Sequence, residues 1–216
     1  MLSEEDHIAT VRKAQLHLSR RDPVIGELIR QYGACGLRPH PDRFRVLVRS
    51  IVWQQLSTKA AETIHQRLLA QLPRERLSAR GIYRLSEAQM RTAGLSRAKV
   101  KALQELSTRV CRRQLPLARL HELEDEAVIE ALIEVWGIGR WTAQMFLMFS
   151  LGRPDVLPVG DLGLQMGVKR TYGLRKVPKR DRLEKLAEPW RPYRSIATWY
   201  LWRSLGGVPP TVDGAP

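Results

Sequence analysis

Cysteine is rare in this sequence, and long apolar runs are missing from it. The two cysteines, Cys35 and Cys111, form no CxxC pair, which excludes a four-cysteine zinc or iron–sulfur site and a disulfide framework. No stretch approaches the roughly 18 consecutive apolar residues of a membrane-spanning helix. Residues 1–6 carry acidic side chains and lack both the basic and the apolar region of a signal peptide. We therefore expect a protein of the reducing cytosol with no membrane partner.

Acidic residues are scarce relative to basic ones. The 216 residues include 36 Lys and Arg against 22 Asp and Glu, a net charge of +14, and 44% of them are hydrophobic. The length and apolar content are typical of a globular protein with a substantial core. The charge attracts polyanions, so we expect DNA, RNA or a ribosome as partner. The alternative is a helix-rich basic surface that serves solubility alone.

Alternating β patterns, sequence repeats and interdomain linkers rich in glycine, serine or proline are also absent. Apolar residues recur at helical spacing, so the predicted fold class is all-α. We predict a helical segment over 1–40 that packs on a core over 41–205, followed by a tail over 206–216. Asp22, Ser57, Ser86 and Ser96 are the predicted helix starts, with Gln89 completing a capping box at Ser86. The predicted helices are 7–20, 23–32, 43–54, 57–72, 86–93, 96–113, 124–135, 140–151, 161–172, 179–188 and 192–205.

Two glycines separate consecutive helices at Gly137-Ile138-Gly139, and Arg140 begins the second helix. This pattern predicts a helix–hairpin–helix. The glycines permit positive φ and close backbone approach, and the N–H groups of the turn and of the following helix form an anion site that suits a DNA phosphate. The carbonyls of the turn could also hold a monovalent cation. The alternative is a tight corner that serves packing only.

The hairpin and the loop that follows it together form a more specific pattern. Gly137 to Ala143, then the Gly/Pro loop 157–160, then Asp161, resembles the signature of the helix–hairpin–helix DNA glycosylase superfamily. The Arg-Trp-Thr-Ala form resembles the 3-methyladenine DNA glycosylase II family, as do residues 47–61, 95–99 and 190–195. The resemblance covers about residues 40–205. It implies two helical lobes with the active site in the cleft between them, and a glycosylase that initiates base excision repair at alkylated bases, 3-methyladenine and 7-methylguanine among them.

Asp161 is the candidate catalytic residue. Hydrolysis of an N-glycosidic bond passes through an oxocarbenium-like sugar, which a fixed carboxylate could stabilise while it orients or deprotonates the attacking water. A helix N-terminus favours the ionised carboxylate. The alternative is that Asp161 is only an N-cap.

Trp141 indicates the reaction subtype. The resemblance places the nucleophilic lysine of bifunctional glycosylases at this position, and an indole cannot form a Schiff base. We therefore predict a monofunctional enzyme that uses water and leaves an intact abasic strand. One alternative is a glycosylase-lyase that uses another lysine, such as Lys169. Another is a non-catalytic DNA-binding module that has no need of Asp161.

The resemblance also nominates a base pocket and a wedge. Trp141 and Trp202 would line the pocket for the extruded base, and Met145 stands where the family's best-studied form has a tyrosine. For Trp202, core packing is the alternative. Gln55 or Leu56 would fill the gap in the base stack, unless this turn is a plain helix corner with Leu56 in the core.

Lys59, Lys99 and Arg140 are the candidate phosphate contacts because each lies near the start of a helix in a matching block; the alternative is that they are ordinary solvated side chains. The five histidines form no HExxH or paired metal motif, so we predict no catalytic metal and no iron–sulfur cluster. The expected partner is double-stranded DNA containing alkylated bases, and the expected state is a monomer in the bacterial cytosol, at the nucleoid. The family's longer bacterial form carries an N-terminal α/β domain that we expect to be absent or vestigial here.

Overall fold

The computed structural model describes residues 4–207. Twelve α-helices and three short 3-10 turns make up the regular structure of these residues, which include no strand. The helices are α1 (Glu4–Arg21), α2 (Pro23–Tyr32), α3 (Arg43–Trp53), α4 (Thr58–Ala70), α5 (Ala79–Arg84), α6 (Glu87–Thr92), α7 (Arg97–Cys111), α8 (Asp125–Ile133), α9 (Arg140–Phe149), α10 (Leu162–Thr171), α11 (Arg180–Leu186) and α12 (Arg194–Ser204). The predicted all-α class is confirmed.

The predicted helix starts are confirmed, but one short helix was not predicted. Asp22, Ser57 and Ser96 each accept a hydrogen bond from the first turn of the helix that follows, and Ser86 forms the full capping box with Gln89. Helix α5 was missed. It has six residues, of which only one, Ile82, is buried, so it leaves no helical period to detect. The sequence also gave no sign of the 3-10 turns Pro73–Glu75, Leu117–Glu122 and Glu188–Trp190.

Contacts along the chain define two units. The central unit is His40–Leu151, and the terminal unit combines the chain before it with the chain after it. In the central unit α3 packs on α4, α7 and α9, while α5 and α6 pack on α7 and α8 on α9. The fully buried side chains of Leu47, Ile51, Leu103 and Phe146 lie in its core.

In the terminal unit α2 packs on α1 and on α12, and α12 also contacts α10. Its core holds the fully buried side chains of Leu18, Ile25, Trp190 and Tyr200. The described part of the predicted N-terminal segment therefore belongs with the helices from the end of the chain. Of the predicted tail, residues 208–216 lie outside the described part.

The two cysteines have different environments. Cys35 is buried in the terminal unit, and this burial raises the pKa of its thiol to about 12. Cys111 is exposed at the end of α7. Within residues 4–207, no helix is long and apolar enough to cross a membrane.

Candidate active site and nucleic-acid interface

Asp161 ends the Gly/Pro loop and forms the N-cap of α10. Its Oδ1 accepts two hydrogen bonds, from the backbone N–H of Leu164 at 2.6 Å and from the indole Nε1 of Trp202 at 2.8 Å. The residue is only 8% exposed. The N-cap interpretation is therefore correct as geometry. It does not compete with catalysis, because the same contacts hold a buried carboxylate in one orientation at the positive end of a helix.

Trp202 is the second residue of this group. It is 2% exposed, so the alternative of core packing describes its surroundings correctly. Its N–H nevertheless bonds to Asp161, and its ring lies against the backbone of Gly163. A Cβ on Gly163 would lie 3.0 Å from Asp161 Oδ1 and 3.1 Å from the Trp202 ring. The glycine therefore leaves room for the contact between the carboxylate and the indole.

Lys169 lies in the last turn of the same helix, α10. It lies eight positions after Asp161, which at a rise of about 1.5 Å per residue places its backbone roughly 12 Å along the helix axis. A lysine and a carboxylate that act on one sugar must both reach its C1′. This separation does not favour the glycosylase-lyase that would use Lys169.

The hairpin has the geometry that its two glycines predict. Gly137 has φ +83°, and a Cβ there would lie 2.8 Å from the Cβ of Ala102 on α7, so both conformation and packing require glycine. Gly139 is the N-cap of α9 and has extended backbone. Ile138 between them is buried. An anion site at the N–H groups of this end of α9, and its use by DNA, stay predictions.

Two hairpin carbonyls already accept hydrogen bonds. Gly137 O accepts from the side chain of Gln54 at 3.1 Å, and Val135 O accepts from the N–H of Ile138 at 3.0 Å. A carbonyl oxygen has two lone pairs, so these bonds leave acceptor capacity for a monovalent cation. Binding of such a cation stays a prediction.

The candidate wedge is a tight turn between α3 and α4. The N–H of Leu56 donates to Trp53 O at 3.3 Å, Gln54 has φ −51° and ψ 126°, and Gln55 has φ +55°. These values match a type II turn, in which the third residue is usually glycine. Leu56 is 39% exposed, so the alternative that places it in the core is wrong. Gln55 and Leu56 both stay candidates for insertion into the base stack.

The three candidate phosphate contacts differ in their surroundings. Lys59 is exposed in the first turn of α4. Lys99 is half-buried, and its Nζ donates to the carbonyls of Val52 at 2.6 Å and Gln54 at 2.9 Å. Desolvation lowers the pKa of this ammonium. Because two of its three N–H donors are used by these carbonyls, the arrangement does not favour a phosphate contact by Lys99.

Arg140 is exposed but has a carboxylate partner. Its Nη1 and Nη2 donate to the two carboxylate oxygens of Glu126 at 2.6 and 2.7 Å. These hydrogen bonds lower the pKa of Glu126 and raise that of Arg140. A DNA phosphate would have to compete with this carboxylate for the guanidinium.

The remaining pocket candidates lie on α9 in the central unit. Trp141 and Met145 are four residues apart and therefore share a face of the helix. Trp141 is half-buried, whereas Met145 is buried. Their contact with an extruded base stays a prediction.

Sequence comparison places this arrangement of hairpin, loop and aspartate in a family. The model of the HhH-GPD superfamily base excision DNA repair protein matches residues 48–192, a span that includes the wedge turn, the hairpin and Asp161. The chain belongs to the HhH-GPD superfamily. Trp202 lies beyond the matched span, so its contact with Asp161 is evident from the structure alone.

Individual relatives of this HhH-GPD protein agree with that assignment. DNA-3-methyladenine glycosylase 1 of Schizosaccharomyces pombe is 32% identical over 212 residues, which cover 93% of this chain and 90% of the relative. The structure of a 3-methyladenine DNA glycosylase from the same yeast, in complex with abasic DNA, has a TM-score of 0.83 at 31% identity, covering 92% of this chain and 99% of that one. A DNA-3-methyladenine glycosidase from Bacillus halodurans has a TM-score of 0.75 at 38% identity, covering 88% and 87%.

Three residues of this HhH-GPD protein were missed as site residues at the level of sequence. They are Gln54, Glu126 and Gly163. Gln54 donates to the hairpin and Glu126 accepts from Arg140, while Gly163 leaves room for the contact between Asp161 and Trp202. The partner of Gln54 lies 83 residues away, and no local pattern reports a contact of that range. Among residues 4–207, no three His, Cys, Asp or Glu side chains converge as metal ligands. The absence of a metal cofactor stays a prediction.

Proposed function

We propose that this protein is a monofunctional DNA glycosylase that hydrolyses the N-glycosidic bond of alkylated bases in duplex DNA, 3-methyladenine and 7-methylguanine among them, and so initiates base excision repair. The observation that carries the proposal is the buried Asp161 carboxylate, held at the N-terminus of α10 by the N–H groups of Leu164 and Trp202. Membership of a base excision repair superfamily and a net charge of +14 support it.

The carboxylate acts on the sugar. As the bond from C1′ to the base nitrogen breaks, its electron pair leaves with the alkylated base and positive charge develops on the sugar. A fixed anion stabilises that charge without reorganising, because its orientation is already set. Water then forms the new C1′–O bond, and its proton passes to the Asp161 carboxylate or to solvent. The products are the free base and an unbroken abasic strand.

The central unit binds DNA in this proposal. The N–H groups at the start of α9 bind a DNA phosphate. The turn of Gln55 and Leu56 inserts into the base stack at the position that the extruded base has left. Trp141 discriminates in favour of alkylated bases, since the positive charge of an alkylated purine is attracted to the face of an indole.

The test is release of methylated bases from alkylated duplex DNA by the wild type and by Asp161→Asn. We expect release by the wild type and a loss of about 10³-fold in the variant, the scale of a fixed charge or base in catalysis. Asp181→Asn is the matched control, because Asp181 is exposed in the first turn of α11, and it should behave as wild type.

The DNA strand should break only after hot alkali, and borohydride should trap no enzyme–DNA adduct. An adduct, or breaks before alkali, would show a lyase instead. Wild-type protein that binds duplex DNA but releases no methylated base would contradict the proposed activity and favour the non-catalytic DNA-binding module.

A further inference from the structure

The wedge turn and the hairpin are joined by one side chain. The amide of Gln54, the first residue after α3, donates to Gly137 O in the hairpin at 3.1 Å and to Thr142 Oγ1 at 2.9 Å. Thr142 is buried in the first turn of α9. Both N–H donors of the amide are therefore used, one toward the hairpin and one toward the first turn of α9.

Lys99 holds the backbone of the wedge turn. Its ammonium bonds the carbonyls of Val52 and Gln54, which lie at the C-terminal end of α3, where carbonyls have no partner within the helix. A cation is stabilised at this end of a helix dipole. The backbone of Gln54 is thus held by Lys99, while its side chain is held by the hairpin.

Helix α7 supports both turns. Lys99 extends to the wedge turn from the first turn of α7, and Ala102, three residues later, lies under Gly137 of the hairpin. Lys101 adds a cation–π contact, with its Nζ 4.3 Å from the centre of the Trp136 ring. The wedge turn, the hairpin and α7 therefore form a closed ring of contacts within the central unit.

We propose that Gln54 is a positioning residue, which with Lys99 fixes the wedge turn relative to the hairpin. The inference rests on the proposed function. The hairpin would bind a phosphate and the wedge turn would enter the base stack, so the spacing between the two turns sets how far the wedge inserts. A misplacement of about 1 Å away from the chemistry can reduce a rate by on the order of 100-fold.

Gln54→Leu keeps the approximate length of the side chain and removes both hydrogen bonds. We expect single-turnover base release to fall about tenfold for a lesion in a normal pair and to stay within about twofold of wild type for a lesion opposite an abasic site, since little stacking then opposes extrusion. Gln66→Leu is the matched control. Gln66 is exposed on α4 in the same unit and bonds only to Glu62, so this variant should match wild type.

Lys99→Met distinguishes a role of Lys99 in holding the wedge turn from a contact with a DNA phosphate. A lost phosphate contact would reduce the slope of log affinity against log salt by about 1. If Lys99 holds the wedge turn, the slope should be unchanged, and base release from paired lesions should slow as it does in Gln54→Leu. A reduced slope with normal base release would assign Lys99 to DNA and contradict this role.

A third readout does not depend on base release. Wild-type protein bound to duplex DNA with a tetrahydrofuran abasic analogue should unstack a neighbouring 2-aminopurine and raise its fluorescence, and Gln54→Leu should raise it less than half as much. If both proteins raise it equally, or if the variant loses paired and unpaired substrates alike, Gln54 is not a positioning residue. If the wild type unstacks the base more than Gln54→Leu does but releases no methylated base, the proposed function is rejected and the positioning role of Gln54 is supported.

Discussion

Asp22 and Asp161 are both buried N-cap aspartates of the terminal unit, and each accepts a hydrogen bond from a tryptophan indole. Asp22 is 6% exposed and uses both oxygens. Oδ1 accepts from the N–H groups of Val24 and Ile25, and Oδ2 accepts from Trp190 Nε1 at 2.8 Å and from the hydroxyl of Tyr172. It therefore joins α2, the end of α10 and the 3-10 turn at Trp190.

The contacts of Asp161 are arranged differently. Its hydrogen bonds from Leu164 and Trp202 both go to one oxygen, Oδ1. Leu164 lies in α10 and Trp202 lies in α12. Asp22 thus accepts through both oxygens from three segments of the chain, whereas Leu164 and Trp202 both donate to Oδ1 of Asp161. Burial and an N-cap position therefore do not by themselves distinguish a structural aspartate from a candidate catalytic one.

The largest expected effect comes from exchanging each aspartate for asparagine. Asp161→Asn should lose about 10³-fold in base release and change the free energy of unfolding by less than about 1 kcal/mol, because an amide oxygen can still accept from Leu164 and Trp202. Asp22→Asn should keep the base release of folded protein and lower the free energy of unfolding. Its amide group would face the donors of Tyr172 and Trp190, at a cost of about 3 kcal/mol.

Chemical denaturation and single-turnover kinetics, normalised to folded protein, measure the two effects. Loss of stability in Asp161→Asn comparable to that in Asp22→Asn would remove the distinction between the two sites.

Exchanging Trp202 and Trp190, the indole partners of the two aspartates, should give smaller effects on base release and on stability. Trp202→Phe keeps an aromatic ring and removes the N–H that orients Asp161, so base release per folded molecule should fall about tenfold. Trp190→Phe should leave that rate unchanged and cost about 2 kcal/mol of stability, from the lost volume and the lost donor to Asp22. Equal rates for the two variants would mean that the indole of Trp202 does not position the carboxylate.

His65 extends the comparison to a buried group that has no such partners. It lies in the core of the central unit, and neither ring nitrogen has a hydrogen-bond partner among the described residues. Burial and the charge of Arg49 lower its pKa to about 4, against 6.5 in an unperturbed histidine. The unfolded chain therefore binds the extra proton first as the pH falls.

Stability from neutral His65 is complete above pH 6.5 and should decrease toward pH 4 by about 3 kcal/mol. Denaturation of wild type and His65→Leu at pH 7.5, 6 and 5 measures this, and His121→Leu, at an exposed histidine, is the control. Parallel curves for wild type and His65→Leu would show that His65 does not titrate in this way.

Gly163→Ala should give the smallest effect. Its methyl group would lie against both Asp161 Oδ1 and the Trp202 ring, while alanine favours the helix by about 1 kcal/mol. We expect base release to fall about threefold to tenfold with almost unchanged stability, on the scale of a slightly misplaced catalytic group. Crystals of the variant with an unchanged distance from Asp161 to Trp202, together with reduced rates, would require another explanation.

The features that the sequence predicted are those with local signals. Two glycines between helices, an aspartate after a Gly/Pro loop, and serine or aspartate before an apolar period each depend on neighbours within a few residues. The contacts that distinguish Asp22 from Asp161 are not local. Trp190 lies 168 residues from Asp22, and Trp202 lies 41 residues from Asp161. Only the fold brings these side chains together, so Asp22 looked like an ordinary helix start.

The sequence also did not reveal the contacts of Lys99. Its place in the first turn of α7 within a basic chain favoured a phosphate contact. The carbonyls that it bonds end a helix more than 40 residues earlier in the chain, and the sequence gives no sign of which way a long, flexible side chain points.

The environment of Cys35 has a consequence for a protein that would act on alkylated DNA. The electrophiles that damage DNA also attack proteins, and the thiolate form of cysteine is their preferred target. With a pKa raised to about 12 by burial, only about one Cys35 in 10⁵ is ionised at neutral pH. Cys111, exposed at the end of α7, should react first with iodoacetamide. The fold thus protects its buried sulfur from the reagents that create the proposed substrates.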